Sequence, residues 1–390
     1  MTVSGVERPA LRRGRVATAL LFLAYGIILG AWTARIPAIK QSLDLSDGQL
    51  SIALLGFAAG AITGMQAAGR LVDRLGGARV MIPMAVADGL LLLGPALAPT
   101  LATLVLALFV FGAAHGTLNI AMNASAVAVE QAWARPIMTS FHAVYSIGGF
   151  LGASIGGAFA QAGVGPAGTF AAVAAALLVT VGLAARWVLA PAGVDAAGRP
   201  AKRAGAMPGI VFLGVLAFCC LVGEGAAADW ASVYLRDTLA SSAGFAAAGY
   251  AAFSIMMMVG RLAGDRLAAA VGVIPLVRAC GVLAAAGLGT ALLIGQPVAA
   301  VIGWGCFGAG LSCIAPLIFS AAGSHDPARA GQAIARVASL GWIGFLVGPI
   351  VIGAAAELVG LAPALALPAL LALFVALTAG ALRPRPAARA

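Results

Sequence analysis

Charge is scarce in this chain. Asp, Glu, Lys and Arg make up only 9% of its residues, against roughly 25% in a soluble domain. Such a chain cannot coat itself against water. Apolar residues reach 62% and mean hydropathy is +1.05, so lipid must be its main solvent. No Walker motif and no long soluble domain interrupts the apolar sequence, which argues against ATP drive within it. The five cysteines, Cys219, Cys220, Cys280, Cys306 and Cys313, all fall in apolar runs. None has zinc-like spacing beside histidine, so no disulfide, metal centre or cofactor is expected. The net charge of +10 comes from basic residues spread over short turns rather than one surface, which excludes nucleic acid as a partner.

What is present is a repeat. Gly69-Arg70-Leu71-Val72-Asp73-Arg74-Leu75-Gly76 returns as Gly260-Arg261-Leu262-Ala263-Gly264-Asp265-Arg266-Leu267, with Gly260 lying 191 positions after Gly69. Half a chain used twice is the simplest account. Both stretches read as charged turns between apolar segments, and the second lacks the closing glycine. A spanning helix needs about 20 apolar residues, and single strands cannot cross lipid with unpaired backbone groups. Twelve segments qualify: 16–36, 49–69, 80–98, 101–128, 137–161, 167–189, 209–232, 243–262, 275–294, 297–321, 333–356 and 361–382. The expected fold is therefore an all-α membrane protein of two six-helix bundles, 1–190 and 209–390, joined by a linker at 191–208. The first apolar run follows Arg8, Arg12, Arg13 and Arg15 without an A-x-A-like cleavage site, so it reads as an uncleaved span.

Of the 23 basic residues, all but Arg35, Lys40 and Arg236 fall on one side of the membrane when the N-terminus starts inside. The positive-inside rule then places both termini in the cytoplasm, for a multi-pass protein of the inner membrane.

Six plus six spans, a central linker, and the G-x-x-x-D-R-x-G loop pattern at Gly69, Asp73, Arg74 and Gly76 resemble the major facilitator superfamily along the whole chain. Met122-Asn123-Ala124 through Glu130, Arg135-Pro136-Ile137-Met138 and Phe141-His142 resemble its YbjJ-type bacterial branch, which is distantly similar to sugar:proton symporters. The resemblance implies alternating access around a central cavity. It also implies a gating role for Gly69, Asp73, Arg74, Gly76, Asp265 and Arg266, and that glycine-striped spans two and five face spans eleven and eight across the halves; static packing within one half accounts for each stripe equally well.

Helix four carries a polar stripe of His115, Asn119, Asn123 and Glu130, spaced so that all lie on one helical face. Lipid penalises such a face, so it should point inward. Span five presents Thr139, His142, Tyr145 and Ser146. Asn offers donors and acceptors together, as a sugar or other polyol requires. Tyr25, His115, Asn119, Asn123, His142 and Tyr145 are accordingly the candidate substrate residues. Interhelical hydrogen bonding accounts for any one Asn equally well. Glu224, deep in span seven between Gly223 and Gly225, is the leading candidate for proton coupling, and Glu130 is the other, with pairing to Arg135 as its plainer reading. Asp88 is similarly deep but has no evident polar companion. Arg35 reads as an outer residue that attracts an anionic solute or pairs with Asp44, Asp47 or headgroups. Trp32, Trp230 and Trp304 suit a membrane boundary.

The expected partners are a small-molecule substrate, protons and the bilayer, with the chain acting as a monomer and not as an enzyme. Drug or metabolite efflux and a transporter-fold sensor remain alternatives to solute:proton transport. Tags at the two ends should both be labelled only after the inner membrane is permeabilised; labelling of either end in intact spheroplasts would refute the orientation.

Overall fold

The computed structural model describes residues 8–188 and 209–383. The expected linker at 191–208, with Arg199, Lys202 and Arg203, and the tail arginines Arg385 and Arg389 lie outside the described residues. Twelve helices are long and apolar enough to cross a membrane, and no strand occurs among the described residues. They are α1 Arg8–Ser42, α2 Gly48–Leu75, α3 Gly77–Leu97, α4 Leu101–Trp133, α5 Met138–Gln161 and α6 Pro166–Ala185. The second set is α7 Ile210–Thr238, α8 Phe245–Val271, α9 Val273–Ile294, α10 Pro297–His325, α11 Pro327–Val359 and α12 Leu361–Leu382.

Two compact units result. One takes residues 8–135, 144–188 and 326–335; the other takes 136–143, 209–325 and 336–383. The units are thus not a plain cut in the linker: the first turns of α5 and of α11 are exchanged.

Helix ends depart from the sequence expectation at both copies of the repeat. The charged stretches are not turns. Gly69 to Leu75 completes α2, and Gly260 to Leu267 lies wholly inside α8. Arg70, Arg74 and Arg266 are exposed, so charge does not stop the helix; only a glycine with positive φ does. Gly76 (φ 84°) ends α2 and Gly272 (φ 87°) ends α8, a conformation that costs a residue with Cβ but not glycine. The closing glycine of the second copy therefore exists, one turn later than the aligned position.

Lipid removes most of the hydrophobic drive between helices, so close van der Waals packing must replace it. Glycine provides it. A Cβ on Gly60 or Gly64 would strike the Phe109 or Ala113 carbonyl of α4, and one on Gly112 would strike the Phe57 carbonyl of α2. In the second unit Gly308 meets Phe253 in the same way, and the same offset separates Gly112 from Gly308 and Phe57 from Phe253. Gly148 and Gly152 pack against the backbone of α1, and Gly344 and Gly348 against α7. The stripes on α2, α5 and α11 thus join neighbours within a unit, where the family resemblance implied an interface between halves. One further break matters. α10 is interrupted at Ser312 and Cys313, four residues before Pro316, whose missing N–H leaves the Ser312 carbonyl without its helical donor.

Gly60→Ala should lower stability by about 1–3 kcal/mol through overpacking. Gly157→Ala, with nothing within 4 Å of the added carbon, should hold stability or raise it by up to about 1 kcal/mol through helix propensity. Thermal unfolding in detergent checks this, and equal midpoints for the two variants would refute it.

Candidate functional site

The first unit buries a polar cluster built from four helices. On α4, His115 stacks its ring on Tyr25 of α1, with centroids 3.8 Å apart and planes inclined by 12°. The other side of the imidazole meets Phe57 of α2 at 5.6 Å and Phe111 at 5.9 Å. Its Nδ1 lies 2.9 Å from Oδ2 of Asp88 on α3, and both residues are wholly buried. One turn along α4, the Asn119 amide donates to the Tyr25 hydroxyl at 3.2 Å. Asn123, a further turn on, donates to the Asn119 carbonyl at 2.9 Å. Tyr145 of α5 sets its ring 5.6 Å from that of Tyr25. Tyr25, His115, Asn119, Asn123 and Tyr145 thus come together in one unit.

The approach of α1 to α5 makes this possible. Gly26 of α1, beside Tyr25, lies so close to the Tyr145 carbonyl that a Cβ would overlap it. A larger residue at position 26 would part Tyr25 from Tyr145.

Other sequence candidates lie elsewhere. His142 groups with the second unit, where it stacks on Phe319 at 5.9 Å and 16°. Glu130 is half-buried two turns beyond Asn123, near the end of α4 where the Arg15 guanidinium sits 4.9 Å over Trp133. In the second unit Glu224 of α7 faces Arg261 of α8, with Oε1 to Nη2 at 3.5 Å. Arg261 is only 6% exposed. The break in α10 packs beside this pair: Cys313 donates to the Gly260 carbonyl at 3.6 Å, and Cys220 to that of Leu311 at 4.0 Å.

The two repeat carboxylates occupy matching environments. Asp73 accepts the backbone N–H groups of Gly331 (2.7 Å) and Gln332 (3.3 Å) and the Gln332 side-chain amide (2.8 Å), at the first turn of α11. Asp265 accepts the Thr139 hydroxyl and the Ser140 N–H (3.2 Å), at the first turn of α5. Each satisfies donors that a helix start leaves orphaned and sits at its positive dipole end. Gly69 allows the first contact, since it meets Gly331 and Gln332 at backbone distance. Gly76 closes the helix, and Arg74 and Arg266 project to the exterior.

Several sequence readings are corrected by this geometry. Asp88 does have a polar companion, His115. Their depths along consecutive antiparallel helices were a usable signal, because each is the lone ionisable residue in the middle of its helix. Arg261, read as a turn residue, is the buried partner of Glu224. Arg35 is 5% exposed and donates to the Val164 carbonyl at 2.6 Å, so it ties α1 to the start of α6 and is not a free outer cation. Trp32 and Trp304 are core residues; Trp32 packs on Phe111 and Phe170, each at 6.3 Å.

Comparison with known proteins agrees on the fold. The profile of the Major Facilitator Superfamily matches residues 16–335. An uncharacterized MFS-type transporter of Yersinia pestis is 33% identical over 367 residues, covering 94% of this chain and 95% of its own. FucP in the outward conformation superposes with a TM-score of 0.77 at 17% identity, covering 95% and 98% of the two chains. A second structure, of the E. coli fucose:proton symporter FucP (N162A), gives 0.73 at 18% identity with the same coverage. At these identities the structural likeness speaks for the fold alone.

Asp73→Ala should cost about 1–2 kcal/mol at the start of α11 through loss of its cap. Hydrogen exchange at the Gly331 and Gln332 amides should accelerate about 10-fold, and unchanged exchange there would refute the capping role.

Proposed function

The chain belongs to the Major Facilitator Superfamily, and from that premise we propose that it carries a small polar solute across the inner membrane by alternating access, coupled to protons. Membership makes it a multi-pass membrane transporter acting on small molecules within the bilayer. The finer reading rests on one observation: the hydroxyl of Tyr25 and the amides of Asn119 and Asn123 stand in a chain on adjoining turns, flanked by the Tyr145 ring. Hydroxyl and amide groups with aromatic faces suit a sugar or another polyol. The fold shared with a fucose:proton symporter makes fucose the first solute to try.

Glu224 is the coupling residue of this reading. A carboxylate held by one buried arginine can be neutralised by a proton, and its release from Arg261 changes what holds α7 to α8. Glu130, half-buried at the end of α4, is the weaker candidate because the polar cluster is two turns away. His142, beside Phe319 in the second unit, remains a candidate substrate residue of that unit. The caps at Asp73 and Asp265 would break and reform as the transporter changes state, each contact being small enough to reverse. Both termini are cytoplasmic in this reading, and a monomer suffices.

The test is fucose flux into liposomes carrying the purified protein, with a pH dye inside. Acid outside should accelerate wild-type uptake, and fucose should carry protons inward. Glu224→Gln should lose fucose-driven proton movement yet keep fucose counterflow. Asn119→Ala should weaken apparent affinity about 10-fold, the value of roughly one hydrogen bond. Undiminished proton movement in Glu224→Gln would remove that residue from the mechanism. Absence of flux for fucose and other monosaccharides would remove the sugar reading.

A further inference from the structure

Asp88 and His115 have no use in the mechanism just given, yet they are the most completely buried ionisable pair among the described residues, each 0% exposed. Their contact employs one atom from each side. The remaining atoms, Asp88 Oδ1 and His115 Nε2, find no hydrogen-bond partner among the described residues. A buried polar atom left unpaired costs about 1–3 kcal/mol, so a pair with two such atoms is an expensive way merely to brace α3 against α4. An apolar pair of similar volume would brace them at least as well.

The charge states show what the pair can do. With no proton shared, its charge is −1; with one it is zero, whichever residue holds it; with two it is +1. Low dielectric penalises net charge, so of these three states the singly protonated one carries the smallest desolvation cost. One proton gained or lost is then a large local event. It is felt first by Tyr25, whose ring lies flat on the imidazole and favours a cation over its face. Tyr25 in turn accepts from Asn119.

The ionisable surroundings are sparse. α1 presents Tyr25 and α5 presents Tyr145 behind it; α2 presents Phe57, and Phe111 completes the wall from α4. α6 carries no ionisable residue along its length. No acid or base outside the pair therefore competes for its proton at close range, apart from the two phenols.

We propose that Asp88 and His115 form a proton-binding dyad in the first unit, separate from Glu224, which takes up and releases one proton through His115 Nε2 and Asp88 Oδ1. Linked to the transport reading above, the dyad would set the charge beneath the Tyr25–Asn119 face.

Proton binding can be tested without any solute. Infrared difference spectra between acid and alkaline pH, taken on the full chain in lipid nanodiscs, should contain a carboxyl stretch and an imidazole ring mode that change over one common pH interval. Asp88→Asn should abolish the carboxyl band and displace the imidazole transition. His115→Gln should abolish the imidazole mode and displace the carboxyl transition. Glu224→Gln should leave both. If either dyad variant fails to fold, wild-type protein labelled with ¹³C-aspartate and ¹⁵N-histidine reports the same pair directly. No pH-dependent signal from Asp88 and His115, or two signals that move independently, would overturn the dyad. Its failure would leave solute transport standing, and absence of fucose flux would leave the dyad standing.

Discussion

Helices in lipid gain little by hiding apolar surface from one another, since the acyl chains are as apolar as leucine. What remains is contact, and contact deepens as backbones close. Here that closeness is delivered by glycine facing a carbonyl: Gly60 on Phe109, Gly112 on Phe57, Gly26 on Tyr145, Gly308 on Phe253, Gly344 on Phe218. The Tyr25–Tyr145 contact depends on it, because Gly26 lets α1 lie against the backbone of α5.

The same scarcity of apolar drive raises the worth of each polar contact. A helix start in a membrane protein exposes four N–H groups to surroundings that solvate them poorly. Asp73 and Asp265 answer this for α11 and α5, from matching positions in the repeat. The two are not equal. Asp73 takes three donors including a side-chain amide, whereas Asp265 takes a hydroxyl and one backbone N–H. α8 also runs a turn farther before its glycine, so the carboxylate sits deeper in its helix.

Much of this architecture was legible in the sequence. Twelve apolar stretches of spanning length can only be membrane-crossing helices, and the repeat at Gly69 and Gly260 disclosed the duplication. Periodicity gave the faces: the helix-four stripe did collect His115, Asn119 and Asn123 on one side. It could not give the partners. A face says inward, but whether inward means α1, α3 or another unit depends on how helices cross, and one sequence does not encode that visibly. Hence Asp88 seemed solitary, and the glycines of span two could be read equally as packing within one half or as facing the other. Helix ends failed for a different reason. Charged residues read as loop because they avoid hydrocarbon, yet a helix extends beyond the hydrocarbon until a residue such as Gly76 turns it.

The bond from Asn119 to Tyr25 has a stereochemical corollary. Because the phenolic oxygen accepts there, its own hydrogen points away from the Asn119 amide, and Tyr25 keeps a donor for any acceptor that reaches it.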